Sequence, residues 1–213
     1  MRLAELSERS GVPVGTIKYY LRERLLPPGR RVSATQAEYE DSHLRRLNLV
    51  RALIQIGRVP VANAREVLAH IDDDSLGTTM RLGAAMWAMP QPPEAPAEDP
   101  ATVEAAAGIE RFLADVGWDH AREIGTLSPS YRRLVTTVAV LTRLGYACGP
   151  EILAAYARQM DEVARLDLER LEDLEGDVEK AELVVAASVL FEPVLLALHR
   201  LAQEEHSTRR YGL

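Results

Sequence analysis

The chain has 213 residues, of which 47% are hydrophobic and 5% aromatic, and carries a formal net charge of −7. That apolar content excludes wholesale disorder, and an apolar set led by Ala and Leu favours helix over strand. The charge is uneven: residues 1–71 hold 12 Lys and Arg against 7 Asp and Glu, a net of +5, so residues 72–213 carry −12. A basic head on an acidic body fits a nucleic-acid-binding head joined to a sensing or oligomerising body, and it excludes a uniformly acidic surface that repels nucleic acid.

In chain order, Arg2–Arg9 predicts a short helix with Leu3 and Leu6 on one face, stopped by Ser10-Gly11. Val12-Pro13 opens a second helix over Val14–Arg24, with Ile17 and Leu21 inward. Leu26-Pro27-Pro28-Gly29 breaks it, and residues 30–40, with Val32, Thr35 and Tyr39, predict a small two-stranded wing. Asp41-Ser42 is expected to cap a third helix with Leu44, Leu47, Val50, Leu53 and Ile54 as its stripe, ended by Gly57. Pro60 opens a fourth, with Ala64, Val67, Leu68 and Ile71 inward. After Asp72-Asp73-Asp74 a helix runs from Ser75 or Leu76 to Ala88, and the proline-rich stretch Met89–Pro100 predicts an extended linker.

Beyond the linker the pattern is helical near 101–117, 129–146, 150–174 and 177–205. The last of these is apolar nearly all round between Leu183 and Leu201, which marks a buried helix or a subunit interface, and Pro193 is expected to kink or split it. The expected fold class is therefore all-α with a small β-hairpin wing: a winged helix-turn-helix head plus a C-terminal helical bundle. The expected divisions are a head at 1-74, a short helix and linker at 75-100, and a helical dimerisation or effector domain at 101-213.

The most informative run is ordered: Leu3, Leu6, Ser10-Gly11-Val12-Pro13, then Thr16-Ile17-Lys18-Tyr19-Tyr20, then Leu25-Leu26-Pro27-Pro28. In a helix-turn-helix the second helix lies in the major groove. It needs short residues at its start for close approach and donors on its outer face for phosphates and base edges. Val14-Gly15-Thr16 supplies the first requirement. Lys18, Tyr19, Tyr20 and Arg22 supply the second.

Together with Arg30-Arg31, Tyr39, Leu44-Arg45-Arg46-Leu47 and Ile56-Gly57, these pieces make Leu3–Leu68 resemble the DNA-binding domain of the MerR family. The resemblance implies that Thr16, Lys18, Tyr19 and Tyr20 meet base edges and phosphates. It implies that Arg30 and Arg31 reach the flanking backbone and that Arg45 approaches phosphate. It also implies a homodimer on double-stranded promoter DNA, acting by bending and untwisting the site. Three features depart from the family. Thr35-Gln36-Ala37-Glu38 stands where a Gly-Tyr-Arg wing tip is usual. The helix before Pro90 is shorter than the usual dimerisation helix. And Cys148, the only cysteine, excludes the multi-thiol metal sites of the family's mercury and copper sensors.

The C-terminal region resembles no sensor domain. Met86, Trp87, Trp118 and Tyr146 are its candidate residues for a small-molecule effector, weighed against ordinary core packing. No cofactor, metal cluster, phosphate loop or nucleophile–base pair is legible, so an enzyme is not expected. The alternative is an architectural or excisionase-like DNA binder with the same head and no effector. The polar start excludes a signal peptide, and the longest apolar run, Leu183–Phe191, is about half a membrane span, which predicts a cytoplasmic protein without a membrane partner.

Overall fold

The computed structural model describes residues 1–33, 36–91, 93, 96–146 and 148–212, so Thr35 of the expected wing tip and Pro92, Glu94 and Ala95 of the expected linker lie outside the described residues. The chain divides into two compact units: Met1–Met89 with Leu174–Leu213, and Pro90–Asp173.

In the first unit, α1 (Leu3–Ser10) ends where Gly11 turns left-handed at φ +65° and its N–H donates to Glu8 O. The helix stops there because only glycine takes that conformation without steric cost. Pro13 then starts α2 (Val14–Arg22). The wing is an antiparallel pair, β1 (Arg30–Arg31) and β2 (Ala37–Glu38), with Arg30 opposite Glu38 and Arg31 opposite Ala37. Gly29 is needed beside it, since a Cβ there would sit 2.6 Å from Glu38 O. The third helix, α3 (Asp41–Arg51), is capped one residue earlier than expected, where the Glu40 N–H donates to His43 Nδ1 at 3.1 Å. It widens into a π-helical segment, Ala52–Ile56, before Gly57. The helices α4 (Val61–Ile71) and α5 (Thr78–Trp87) follow. Leu6, Ile17, Leu25, Leu26, Leu47, Leu53 and Leu68 are fully enclosed at the centre of this unit.

The last helix, α10 (Asp177–Tyr211), also belongs to this unit, which departs from the expected division at residue 101. Its Ala181, Val185 and Val189 join the core of the head. Val189 lies so close to Gly57 that a Cβ at Gly57 would meet Val189 Cγ1 at 2.5 Å. Polar ties reinforce the seat. Thr78 Oγ1 donates to Asp177 Oδ1 at 2.7 Å, Arg45 pairs with Glu179 at 2.6 Å, and Arg46 pairs with Glu182 at 2.8 Å. With 35 residues α10 is about 52 Å long by helix rise. It is one continuous helix through Pro193, so the expected split does not occur.

The second unit holds α6 (Pro100–Val116), α7 (Asp119–Ile124), a 3-10 turn (Gly125–Leu127), α8 (Pro129–Arg143) and α9 (Pro150–Glu172). The carboxylate of Asp99 caps α6 through the Thr102 N–H at 3.0 Å, and Ser128 Oγ caps α8 through the Tyr131 N–H at 3.3 Å. Its core is Ala105, Ile109, Phe112, Leu113, Tyr131, Val135, Val138, Ala139 and Ala157. Burial, with Glu110 accepting from its hydroxyl at 2.9 Å, pushes the Tyr131 phenol up to about 12.

Candidate nucleic-acid interface

Helix α2 buries Ile17 and Tyr20 and leaves Lys18 and Arg22 exposed, with Tyr19 and Thr16 half-buried. Lys18, Tyr19 and Arg22 lie at i, i+1 and i+4 and so share one outer face. The Arg22 guanidinium sits 5.8 Å from the centroid of the Tyr19 ring, within reach of a cation–π contact. Tyr20 departs from the DNA-facing role expected of it. It is 4% exposed, its ring packs in the head's core, and burial raises its phenol above the ordinary value.

The end of α2 is fixed by a left-handed cap. The Leu25 N–H donates to Tyr20 O at 2.9 Å and the Arg24 N–H to Leu21 O at 3.3 Å, with Arg24 at φ +58°. Glycine is the usual occupant of such a position. Arg24→Gly is accordingly expected to stabilise the protein by about 1 kcal/mol, a rise of roughly 2–4 °C in melting temperature, read by thermal denaturation followed by circular dichroism. Two further arginines brace the helix-turn-helix from outside it, one at the end of α1 and one at the end of α2. Arg51 Nη1 donates to Ser10 O at 2.9 Å, filling a carbonyl at the end of α1, and Arg65 Nε donates to Glu23 O at 2.9 Å.

In the wing, Arg31 is exposed, and Arg30 pairs with Glu38 across the strands while staying 69% exposed. The carboxylate that β2 brings to the wing is thus met by the wing's own arginine. Arg2, which the sequence reading passed over, donates to Gln36 Oε1 at 2.6 Å and adds a cation beside the wing. Arg45 of α3, half exposed, pairs with Glu179 of α10. Beside it Arg46 is 4% exposed, with Nη1 donating to Asp72 Oδ2 at 3.0 Å, Nη2 to Asp72 Oδ1, and Nε to Glu182 Oε1 at 2.8 Å. Desolvation pushes the Glu182 carboxyl above its ordinary value, against the pull of Arg46 and Arg45.

The four candidate effector residues are divided between the two units. Met86 packs against the first unit's core and Trp87 is 46% exposed, whereas Trp118 stacks edge-on to Phe112 in the second unit and Tyr146 is 66% exposed. Two described cavities are lined by other residues. One, of about 450 Å³, runs between α3 and α10 past Arg45, Leu49, Ala52, Leu183, Ala186 and Leu190. Another, of about 440 Å³, lies between α6 and α8. Among the described residues no group of three or more His, Cys, Asp or Glu could hold a metal ion. Helix α10 is long and apolar enough to cross a membrane by length and composition alone, a property the run Leu183–Phe191 understates.

Comparison with known proteins agrees with this geometry. Residues 1–71 match the family model described as MerR HTH family regulatory protein. A 50-residue stretch is 36% identical to the HTH-type transcriptional regulator ZntR homolog of Haemophilus influenzae, covering 24% of this chain and 37% of that protein's length. The crystal structure of SCO5550 of Streptomyces coelicolor A3(2), described as a proposed transcriptional regulator, is similar throughout. It is 58% identical with a TM-score of 0.87, covering 100% of this chain and 99% of that one.

Proposed function

Because the chain belongs to the MerR family of helix-turn-helix proteins, which are DNA-binding transcription regulators and not enzymes, we propose that it acts in the cytoplasm as a homodimer on promoter DNA. The observation that carries the DNA-binding face is the outer surface of α2, where Lys18, Tyr19 and Arg22 stand together. These residues, with Thr16 at the start of the helix, are the proposed major-groove contacts. Arg30 and Arg31 are the proposed contacts to flanking phosphates. Tyr20 supports the helix from the core, and Arg45 serves the joint with α10.

The partner proposed for α10 is a second copy of the chain. Leu183, Ala187, Leu190, Val194, Ala197 and Leu201 recur at four- and three-residue steps, the spacing of a coiled-coil seam. From Val194 onward this seam is exposed, beyond the stretch in which Ala181, Val185 and Val189 are buried in the head. A helix already seated on its own head by one face is poorly placed to cross a membrane with the other, which favours a second copy. Symmetry then demands that the same seam serve both protomers.

Two heads on one stiff joint have a fixed spacing, so a promoter whose half-sites do not match it must bend or untwist to engage both. That is the proposed mode of regulation, with a small organic ligand bound by the second unit as its effector. The cavity between α6 and α8 favours this reading over an architectural binder without effector. The test is selection of bound fragments from random DNA by the purified chain. Wild type should enrich a two-fold-related site, and Arg31→Ala should lower the salt slope of binding by about 0.9 per protomer. Arg170→Ala should change nothing. Absence of any preferred sequence contradicts the reading.

A further inference from the structure

We infer that two copies of α10 pair antiparallel about a two-fold axis level with Glu192, so that the exposed end of each helix covers the head-seated end of the other. The inference rests on the dimer reading given above and gives that dimer an orientation and a register. Ala181, Val185 and Val189 are engaged by the head, but from Leu190 to Tyr211 α10 runs on for about 33 Å by helix rise. Val194, Leu196, Leu198 and Leu201 on that stretch are exposed. At the seated end, Leu183, Ala186 and Leu190 line the cavity of about 450 Å³ beside Leu49 and Ala52. Each chain thus presents an exposed apolar helix end and an apolar groove. A two-fold antiparallel pair lays the one on the other, twice over.

The seam reads nearly the same in both directions, which selects the register. An antiparallel partner centred on residue 192 sets Leu183 against the partner's Leu201, Ala187 against the partner's Ala197 and Leu190 against the partner's Val194. One seam position further out, Lys180 meets the partner's Glu204. A shift of one heptad sets Ala197 against Lys180 or Ala187 against Glu204, and so loses the match of charge with charge. A parallel pair sets Lys180 against Lys180 and Glu204 against Glu204, like charge on like. The groove agrees with the antiparallel choice. On the flank of the pair next to α3, the partner's Arg200 comes beside Ala186, where Glu179 and Glu182 line the groove. A lipid surface offers neither a register nor a matching charge at each end, so a second copy is the occupant these residues fit. The pairing also holds the two seats, centred on Val185, about 21 Å apart along the helices, which ties the spacing of the heads to the register.

The experiment uses the full chain with Cys148→Ser as background, oxidised and read on non-reducing gels, with sedimentation equilibrium on the same samples. Ala187→Cys combined with Ala197→Cys should give a disulfide-linked dimer, because these positions on opposite protomers fall within disulfide reach. Either substitution alone should give none. Linkage by a single variant marks a parallel pair and overturns the proposal. A double variant that sediments as a dimer yet does not cross-link also overturns it, and the dimer reading then survives without this register. Wild type that sediments as a monomer removes both. Charge gives an independent readout. Lys180→Glu should weaken dimerisation about tenfold at low salt, and adding Glu204→Lys should restore it to within about twofold. Both changes suit the helix dipole, an acid in the first turn and a base towards the C-terminal end, so α10 should stay folded. A double variant no tighter than Lys180→Glu overturns the register.

Discussion

Val194→Glu combined with Leu201→Glu should convert the protein from dimer to monomer in sedimentation equilibrium at micromolar concentration. Each chain then places two carboxylates in a seam whose other members are Leu and Ala, and the dimer would bury four. Burying unpaired charge costs several kcal/mol even after relaxation. The substitutions lie beyond Val189, the last α10 residue buried against the head. The head should therefore keep its own melting transition, and the variant remains folded while the assembly fails. A variant that stays dimeric contradicts the seam. Wild-type protein that floats with phosphatidylcholine vesicles points to a membrane as the partner of α10 instead.

Arg46→Ala should cost about 3–5 kcal/mol in chemical denaturation, the expected result of breaking a buried ion pair from one side. The side chain of Arg46 is 5% exposed and that of Glu182 11%, so removal of the guanidinium strands a buried carboxylate, whereas Asp72, at 47%, is rescued by water. The pH dependence follows. Glu182 already titrates above its ordinary value through burial, and without Arg46 it rises further. A carboxyl with a raised folded-state pKa binds more protons folded than unfolded between the two values. Stability is thus regained as pH falls through the folded-state pKa. The deficit of Arg46→Ala should accordingly be largest near neutral pH and shrink on acidification. Arg46→Met with Glu182→Leu, which removes both charges and preserves packing, should recover much of the loss. A deficit equal at all pH values would contradict the stranded carboxylate.

The head was legible because its signals are local. Gly11 in a left-handed cap, Pro13 at a helix start and the apolar spacing of Leu6, Ile17 and Leu25 each act within one or two turns of chain. The same locality made Tyr20 misleading. Two adjacent tyrosines look alike in sequence, yet they stand about 100° apart on a helix, so one faces out and the other in. Arg46 was illegible for a different reason. In the run Leu44-Arg45-Arg46-Leu47 it reads as a solvated face, and the groups that permit its burial are Asp72, 26 residues away, and Glu182, 136 away. The apolar band at 183–201 announced burial but not its partner. The structure assigns the first part of α10 to its own head, which no periodicity within that helix specifies. Met86, Trp87, Trp118 and Tyr146 stand out in the sequence by residue type alone, and they are divided between the two units. A cavity is the gap two helices leave, and two such gaps are lined by residues that include Thr, Val, Leu and Arg.

Whether paired heads read the promoter is decided most directly by one set of binding isotherms. A fragment recovered by DNA selection is titrated with wild type and with Val194→Glu/Leu201→Glu across a salt series. Wild type should bind steeply with salt, and the monomeric variant should show about half the slope of log K against log salt, because one head releases half the counterions. Affinity should fall by orders of magnitude with it. Equal affinity and equal slope for the two proteins would contradict a dimer acting on DNA through both heads.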